Sequence, residues 1–155
     1  MADRAALLAR YREGPAVLEQ SLEGITPEEL DRRPAPDQWS PREVVHHTAD
    51  SEITAAVRLR RLLAEENAAI QGYDEMEFSR RLHYGDRPVA PSLAAVRAAR
   101  ETTADILDRL SEADWARAGT HSESGPYSVE HWLRVYAAHC HDHADQIRRA
   151  RAGEV

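Results

Sequence analysis

Ser40-Pro41-Arg42-Glu43 opens the stretch SPREVVHHTADSEITAAVRLRRLLAEENAA, residues 40–69, on which the fold turns. Its first four residues have the form of a capping box: a hydroxyl to receive the free backbone N–H groups, Pro at the first helical position, and Glu three residues after the cap. No Gly or Pro follows before Ala69, so a long helix is expected. At about 100° per residue, Val44, Thr48, Ser51, Ala55, Leu59 and Leu62 share one stripe and set the inward direction. His47 sits on the edge of that stripe, and its neighbour His46 points away toward solvent.

The same signals recur on both sides. Residues 3–23 read as a first helix with Leu7, Leu8, Tyr11, Val17, Leu18 and Leu22 on its apolar face, kinked or interrupted at Gly14-Pro15. Thr26-Pro27-Glu28-Glu29 repeats the capping box and opens a short helical turn that ends before Pro34 and Pro36. Residues 71–91 form a long connection holding Gly72, Gly85, Pro88 and Pro91, and connections of that length often line a functional site. A third long helix runs from near Ser92 to Leu110, with Leu93, Val96, Ala99, Ile106, Leu107 and Leu110 inward. Residues 111–126 are irregular apart from a short helix over 111–115, and Ser128 caps a last helix that reaches about Arg151. Four long helices without strands predict an all-α four-helix bundle, with residues 1–155 as one domain.

Composition narrows the chemistry. Among 155 residues there are 20 basic and 27 acidic side chains, a net charge of −7, eight His and one Cys. Every basic residue is Arg, which excludes a lysine Schiff base, a pyridoxal-phosphate enzyme and a Walker-type phosphate loop. The negative balance argues against nucleic acid as a partner. Cys140 alone can make neither an internal disulfide nor a multi-cysteine zinc site, which suits a reducing compartment. With no long apolar run and no apolar core after Met1, neither a membrane anchor nor a signal peptide is expected, and the expected location is the cytoplasm.

The surplus of His concentrates near the end of the chain. On the last helix Trp132, Val135, Tyr136, Gln146, Ile147 and Ala150 form one stripe. His139 and His143 fall near its centre, one turn apart, while His141 and Arg134 face the other way. Inward imidazoles are costly to bury unless their ring nitrogens are satisfied. A lone inward His is most often a hydrogen-bonded core residue. Three of them, His47 from the second long helix with His139 and His143 from the last, could converge on a metal. Neutral imidazole suits Zn, Ni, Cu or Fe, and three protein ligands leave a coordination position open, as in catalytic zinc sites.

Other patterns carry less. Glu43 and His46 have the Glu-x-x-His spacing of di-iron bundles, but no second copy exists and the capping box already explains Glu43. The last helix lacks the Glu of the His-Glu-x-x-His peptidase pattern. Cys140 reads as a small packed residue at the margin of the stripe. His83, His121 and His131 have no visible partners and read as solvated.

These stretches resemble a known family. Trp39-Ser-Pro-Arg-Glu-Val-Val-His-His-Thr-Ala-Asp-Ser-Glu52 is similar to the signature with which the second helix opens in the DinB-like superfamily. Tyr136-Ala-Ala-His-Cys-His-Asp-His-Ala-Asp-Gln-Ile147 resembles its closing His-x-x-x-His element, and Tyr73-Asp74-Glu75 resembles the YfiT-type branch. The resemblance covers the whole chain and implies an up-down-down-up four-helix bundle, often a homodimer, with a divalent metal, usually Zn or Ni, held by three His. Matched by position these are His47, His139 and His143, the trio the helical stripes select. Characterised members include transferases that join low-molecular-weight thiols such as bacillithiol or mycothiol to electrophiles. Others are labelled metal-dependent hydrolases without a known reaction.

Two chemistries would suit such a site: a water activated for hydrolysis, or a thiol deprotonated for attack on an electrophile. The thiol route is favoured, because the sequence shows no strong nucleophile of its own. Its partners would be a small-molecule thiol and an electrophile. Residues 71–91 and 119–128 are expected to shape the mouth, with Asp50, Tyr73, Asp74 and Tyr127 as candidates for substrate contacts or support of the ligands. A metal-binding bundle without catalysis, a sensor or a structural site, is the remaining alternative.

Overall fold

The computed structural model describes residues 3–155; Met1 and Ala2, part of the N-terminus in which no signal peptide is expected, lie outside the described residues. Four long helices carry the molecule: α1 (Arg4–Gln20), α3 (Pro41–Ala64), α5 (Val89–Leu107) and α7 (Val129–Ala152). Between them lie three short helices, α2 (Pro27–Asp31), α4 (Glu75–Arg81) and α6 (Glu112–Trp115), and three short strands, β1 (Ala69–Ile70), β2 (Ala118–His121) and β3 (Gly125–Ser128).

Side-chain contacts give the direction of each long helix. Glu52 of α3 meets Arg100 of α5, and eight residues later Arg60 meets Thr102 and Thr103, so α3 and α5 run parallel. Glu52 also meets His139 of α7 while Ala55 meets Trp132, so α3 and α7 are antiparallel. Arg4 pairs with Glu130 and the carbonyl of Ser21 with Arg151, which makes α1 parallel to α7. The bundle is therefore up-down-down-up.

Local chemistry explains the helix ends. The Ser40 hydroxyl accepts from Glu43 N–H, and the Glu43 carboxylate accepts in return from Ser40 N–H, completing the expected box. Thr26 and Glu29 do the same at α2. Ser128 caps α7 by accepting from His131 N–H, and Gly153 ends it in the left-handed region at φ 75°. Inside, Val44, Ala55, Leu59 and Leu62 are buried as the stripe required, and they pack with Tyr11, Trp132, Leu133 and Ile147 into two adjoining apolar clusters.

Several expectations are corrected. α1 is one continuous helix through Pro15. α3 stops at Ala64 rather than Ala69, because Ala69 and Ile70 pair in parallel with Thr120 and His121 of β2, which forms a hairpin with β3. The expected absence of strands is thus wrong. Strands of two and four residues are too short to show alternation, and the β1–β2 pairing joins residues about fifty positions apart. Gly119 makes that approach feasible, since a Cβ there would stand 2.2 Å from the Ala68 carbonyl oxygen. α5 begins at Val89, ahead of Ser92, because Pro91 lies in the first turn, where its missing N–H has no partner to lose. The connection 71–91 is not bare: Asp74 accepts from Glu77 N–H and starts α4.

Candidate metal centre

His47 on α3 and the His139–His143 pair on α7 come together between the antiparallel helices, with one ring nitrogen of each lying within 4.8 Å of the others. Ring centroids are 4.5 Å apart for His139 and His143, and 4.8 Å for His47 and His143. His47 is 4% exposed, with the centroid of the Trp39 ring 4.7 Å from its own and the two planes tilted at 44°.

The hydrogen bonds fix which nitrogens are available. His139 Nδ1 donates to a carboxylate oxygen of Glu52 at 2.8 Å, and His143 Nδ1 donates to Gln146 Oε1 at 2.8 Å. In the neutral rings Nε2 is then the unprotonated atom of each. Those two Nε2 atoms stand 3.2 Å apart. His47 Nδ1 is buried and has no hydrogen-bond partner. Two facing lone pairs and a third orphaned nitrogen are a poor arrangement for apolar packing and a good one for a cation. A tetrahedral zinc ion with Zn–N bonds of about 2.0–2.1 Å holds its donors about 3.3 Å apart, close to the 3.2 Å between the His139 and His143 Nε2 atoms. The donor set therefore fits a divalent metal.

Electrostatics keep His47 and His143 neutral. Burial, reinforced by the charges of His143 and His139, pushes His47 down to about 3; burial and His139 push His143 down to about 4. Neutral imidazole is the form that binds a metal.

Behind His139 lies a buried ion pair that the helical stripes did not single out. Glu52 and Arg100 are each 1% exposed, and the guanidinium grips the carboxylate with Nε to Oε2 at 3.0 Å and a second nitrogen to Oε1 at 2.7 Å. Burial alone would raise Glu52, but Arg100 and the His139 bond bring it down to about 2. A signal for this pair existed: Arg100 interrupts the apolar spacing Val96, Thr103, Leu107 on the buried face of α5.

The other candidates fall elsewhere. Asp50 accepts from the Tyr84 hydroxyl at 2.5 Å, which ties the connection before α5 to α3. Asp74 serves as the cap of α4 and is exposed. Tyr73 packs against Phe78, and Tyr127 lies between His121 and His131. The Arg58 guanidinium stands 5.8 Å from the Tyr73 ring, donates to the Gln71 carbonyl and reaches the Tyr136 hydroxyl at 3.4 Å. Burial raises both Tyr73 and Tyr127 to about 12, so both are neutral phenols at neutral pH.

Two imidazoles depart from expectation. His46 is fully buried, not solvated, because the parallel α5 covers that side of α3. Its Nε2 donates to the Arg87 carbonyl at 3.0 Å, so Nδ1 accepts from the Ser92 hydroxyl at 2.8 Å. His121 is also buried, its Nδ1 accepting from Glu123 N–H in the β2–β3 turn. His83 and His131 are exposed as expected. Cys140 is fully buried, and burial pushes its thiol up, with Glu52 adding to the effect.

Fold and geometry together define a helical-bundle protein with a candidate three-imidazole metal centre. Comparison with known proteins is more specific: residues 10–147 match the DinB superfamily, and the chain belongs to it. It is 33% identical over 133 residues to OB0782 of Oceanobacillus iheyensis, covering 86% of this chain and 77% of that one. Its identity to YfiT of Bacillus subtilis is 31% over 136 residues, covering 87% and 76%. Both relatives are provisionally named metal-dependent hydrolases. A solved structure of Bacillus subtilis YfiT, described as a probable metal-dependent hydrolase with an unusual four-helix bundle topology, superposes with a TM-score of 0.90 at 27% identity, covering 100% of this chain and 92% of that one.

Proposed function

We propose that His47, His139 and His143 hold a divalent metal, zinc or nickel, and that the protein transfers a low-molecular-weight thiol such as bacillithiol or mycothiol to an electrophile. The observation that carries the metal is the 3.2 Å approach of two Nε2 atoms whose rings already use Nδ1 as donor. A divalent cation in that position supplies Lewis acidity, enough to deprotonate a thiol or a water near neutral pH.

The chain's own residues favour the thiol. Lys is absent and Cys140 is sealed in the core with its thiol raised, so no side chain near the trio offers a strong nucleophile. A thiol substrate brings its own. Its sulfur forms the new C–S bond, the electrophile releases its leaving group with the bonding pair, and the thiol proton passes to solvent. Glu52 and Gln146 hold the rings of His139 and His143, and Trp39 keeps water from the face of His47.

The names of the relatives favour a second reading, hydrolysis. One assay separates the two. Purified protein, loaded with zinc or nickel, is given bacillithiol, mycothiol or glutathione with an alkylating electrophile, and in parallel a panel of activated esters and amides. Metal-dependent conjugation that His139→Ala abolishes supports transfer. Metal-dependent hydrolysis without conjugation replaces that reading with the second. No turnover in either, with metal bound, points to the non-catalytic site.

A further inference from the structure

Gly14 and Pro15 interrupt the sequence of the first helix, yet the helix does not break. A proline inside a helix removes the N–H that would bond the carbonyl four residues earlier. Here that carbonyl belongs to Tyr11, and a guanidinium nitrogen of Arg100 donates to it instead. Gly14 supplies the space: a Cβ there would stand 2.3 Å from that nitrogen and 2.9 Å from Arg100 Cζ. The guanidinium lies 4.2 Å from the centroid of the Tyr11 ring, bonds the Tyr136 carbonyl at 2.6 Å, and turns its remaining edge to Glu52.

We propose that Gly14 and Pro15 are positioning residues for the metal centre, acting through Arg100 and Glu52 on His139. The inference rests on His139 as a metal ligand and extends that reading to a helix that contributes no ligand. α1 provides the seat for Arg100. Arg100 fixes the orientation of Glu52 by bonds of 3.0 and 2.7 Å to its two oxygens, and the oxygen that takes the shorter bond also lies 2.8 Å from His139 Nδ1. The carboxylate keeps the hydrogen of His139 on Nδ1, which leaves Nε2 directed at His143 and His47. Carboxylates that orient ligand imidazoles in this way commonly change metal affinity by 10–100-fold when removed. Stability is a weak explanation for the arrangement, because a buried ion pair is often no better than apolar side chains of the same volume.

The test separates the relay from the fold and from the site itself. Zinc affinity is measured by competition with a chromophoric chelator, melting is followed on the metal-free protein, and nitrogen NMR reads which ring nitrogen of His139 carries the hydrogen. In Pro15→Ala the new N–H competes with Arg100 for the Tyr11 carbonyl, while alanine suits a helix better than proline. Its metal-free melting temperature is expected to hold or rise, and its zinc affinity to fall about tenfold. Gly14→Ala should weaken zinc in the same direction by displacing Arg100; should it fail to fold, Pro15→Ala decides. Glu52→Gln should lose about 10–100-fold and move hydrogen onto Nε2 of His139. If Pro15→Ala binds zinc as the parent does, the role of the first helix is overturned. If Glu52→Gln leaves both affinity and the His139 tautomer unchanged, the whole relay is overturned. His139→Ala distinguishes the remaining case: if it too binds zinc normally, the three-imidazole reading fails regardless of the relay.

Discussion

The Nε2 atoms of His139 and His143 face each other across 3.2 Å, while Nδ1 of each ring is engaged by an oxygen, of Glu52 and of Gln146. One zinc or nickel ion per chain is therefore expected in protein kept from chelators. His143→Ala should weaken binding by more than the roughly 100-fold upper range of changes behind a ligand. Elemental analysis and chelator competition measure both; metal well below one ion per chain would remove the centre.

Two apolar clusters, one around Tyr11 and Trp132 and one around Leu18 and Ile147, hold the bundle without the trio, so the metal-free protein should remain folded. Chelation is expected to leave the helical circular-dichroism signal intact while lowering the melting temperature. Metal at 100 times its dissociation constant adds about 2.7 kcal/mol. Loss of helix on chelation would instead identify a structural site.

Acid should destabilise the metal-free protein early. Burial lowers His46, and holds His47 near 3 and His143 near 4, all below the ordinary value of about 6.5 that they regain on unfolding. The unfolded chain thus binds more protons across that interval. Stability from these groups is complete above about pH 6.5 and falls as pH drops toward 4. The urea midpoint of metal-free protein should be lower at about pH 5 than at pH 7.5; an unchanged midpoint would contradict the burial of these rings.

Asp50 and Tyr84 anchor the segment before α5. Tyr84→Phe leaves the Asp50 carboxylate without that donor and should cost about 1–3 kcal/mol. Hydrogen exchange should quicken over residues 82–91. Equal exchange in both proteins would show that His46, bonded to Arg87 and Ser92, holds the segment alone.

Cys140 should resist alkylation by iodoacetamide in the native protein and react on unfolding, because it is fully buried with a raised thiol. Cys140→Ala should retain metal binding. Rapid native alkylation would make Cys140 a candidate nucleophile.

Much of this was legible in the residues. Capping boxes at Thr26 and Ser40, the inward stripe on α3, that on α7 apart from the exposed Val135, and the spacing of His139 and His143 follow from local rules, since a helix determines its own periodicity and its own unpaired N–H groups. His47 emerged because its angle on the helix placed it inward. Glu52 and Arg100 were partly legible as charges on buried faces, but their pairing across two helices was not.

His46 shows where local reading fails. Its angle on α3 marked it for solvent, and only the parallel packing of α5 made that side interior. The three strands and the true end of α3 failed for the same reason, since β1 exists only because β2 lies beside it. Pro15 is the opposite case. The sequence predicted a kink or interruption at Gly14-Pro15, and the tertiary structure keeps the helix continuous, with Arg100 meeting the Tyr11 carbonyl that Pro15 leaves free. Sequence alone determined the four long helices, the caps at Thr26, Ser40 and Ser128 and the three imidazoles that turn inward, because those depend on neighbours within a few turns. Tertiary structure decided which nitrogens face one another and which side chains hold them, because those depend on contacts between helices far apart in the chain.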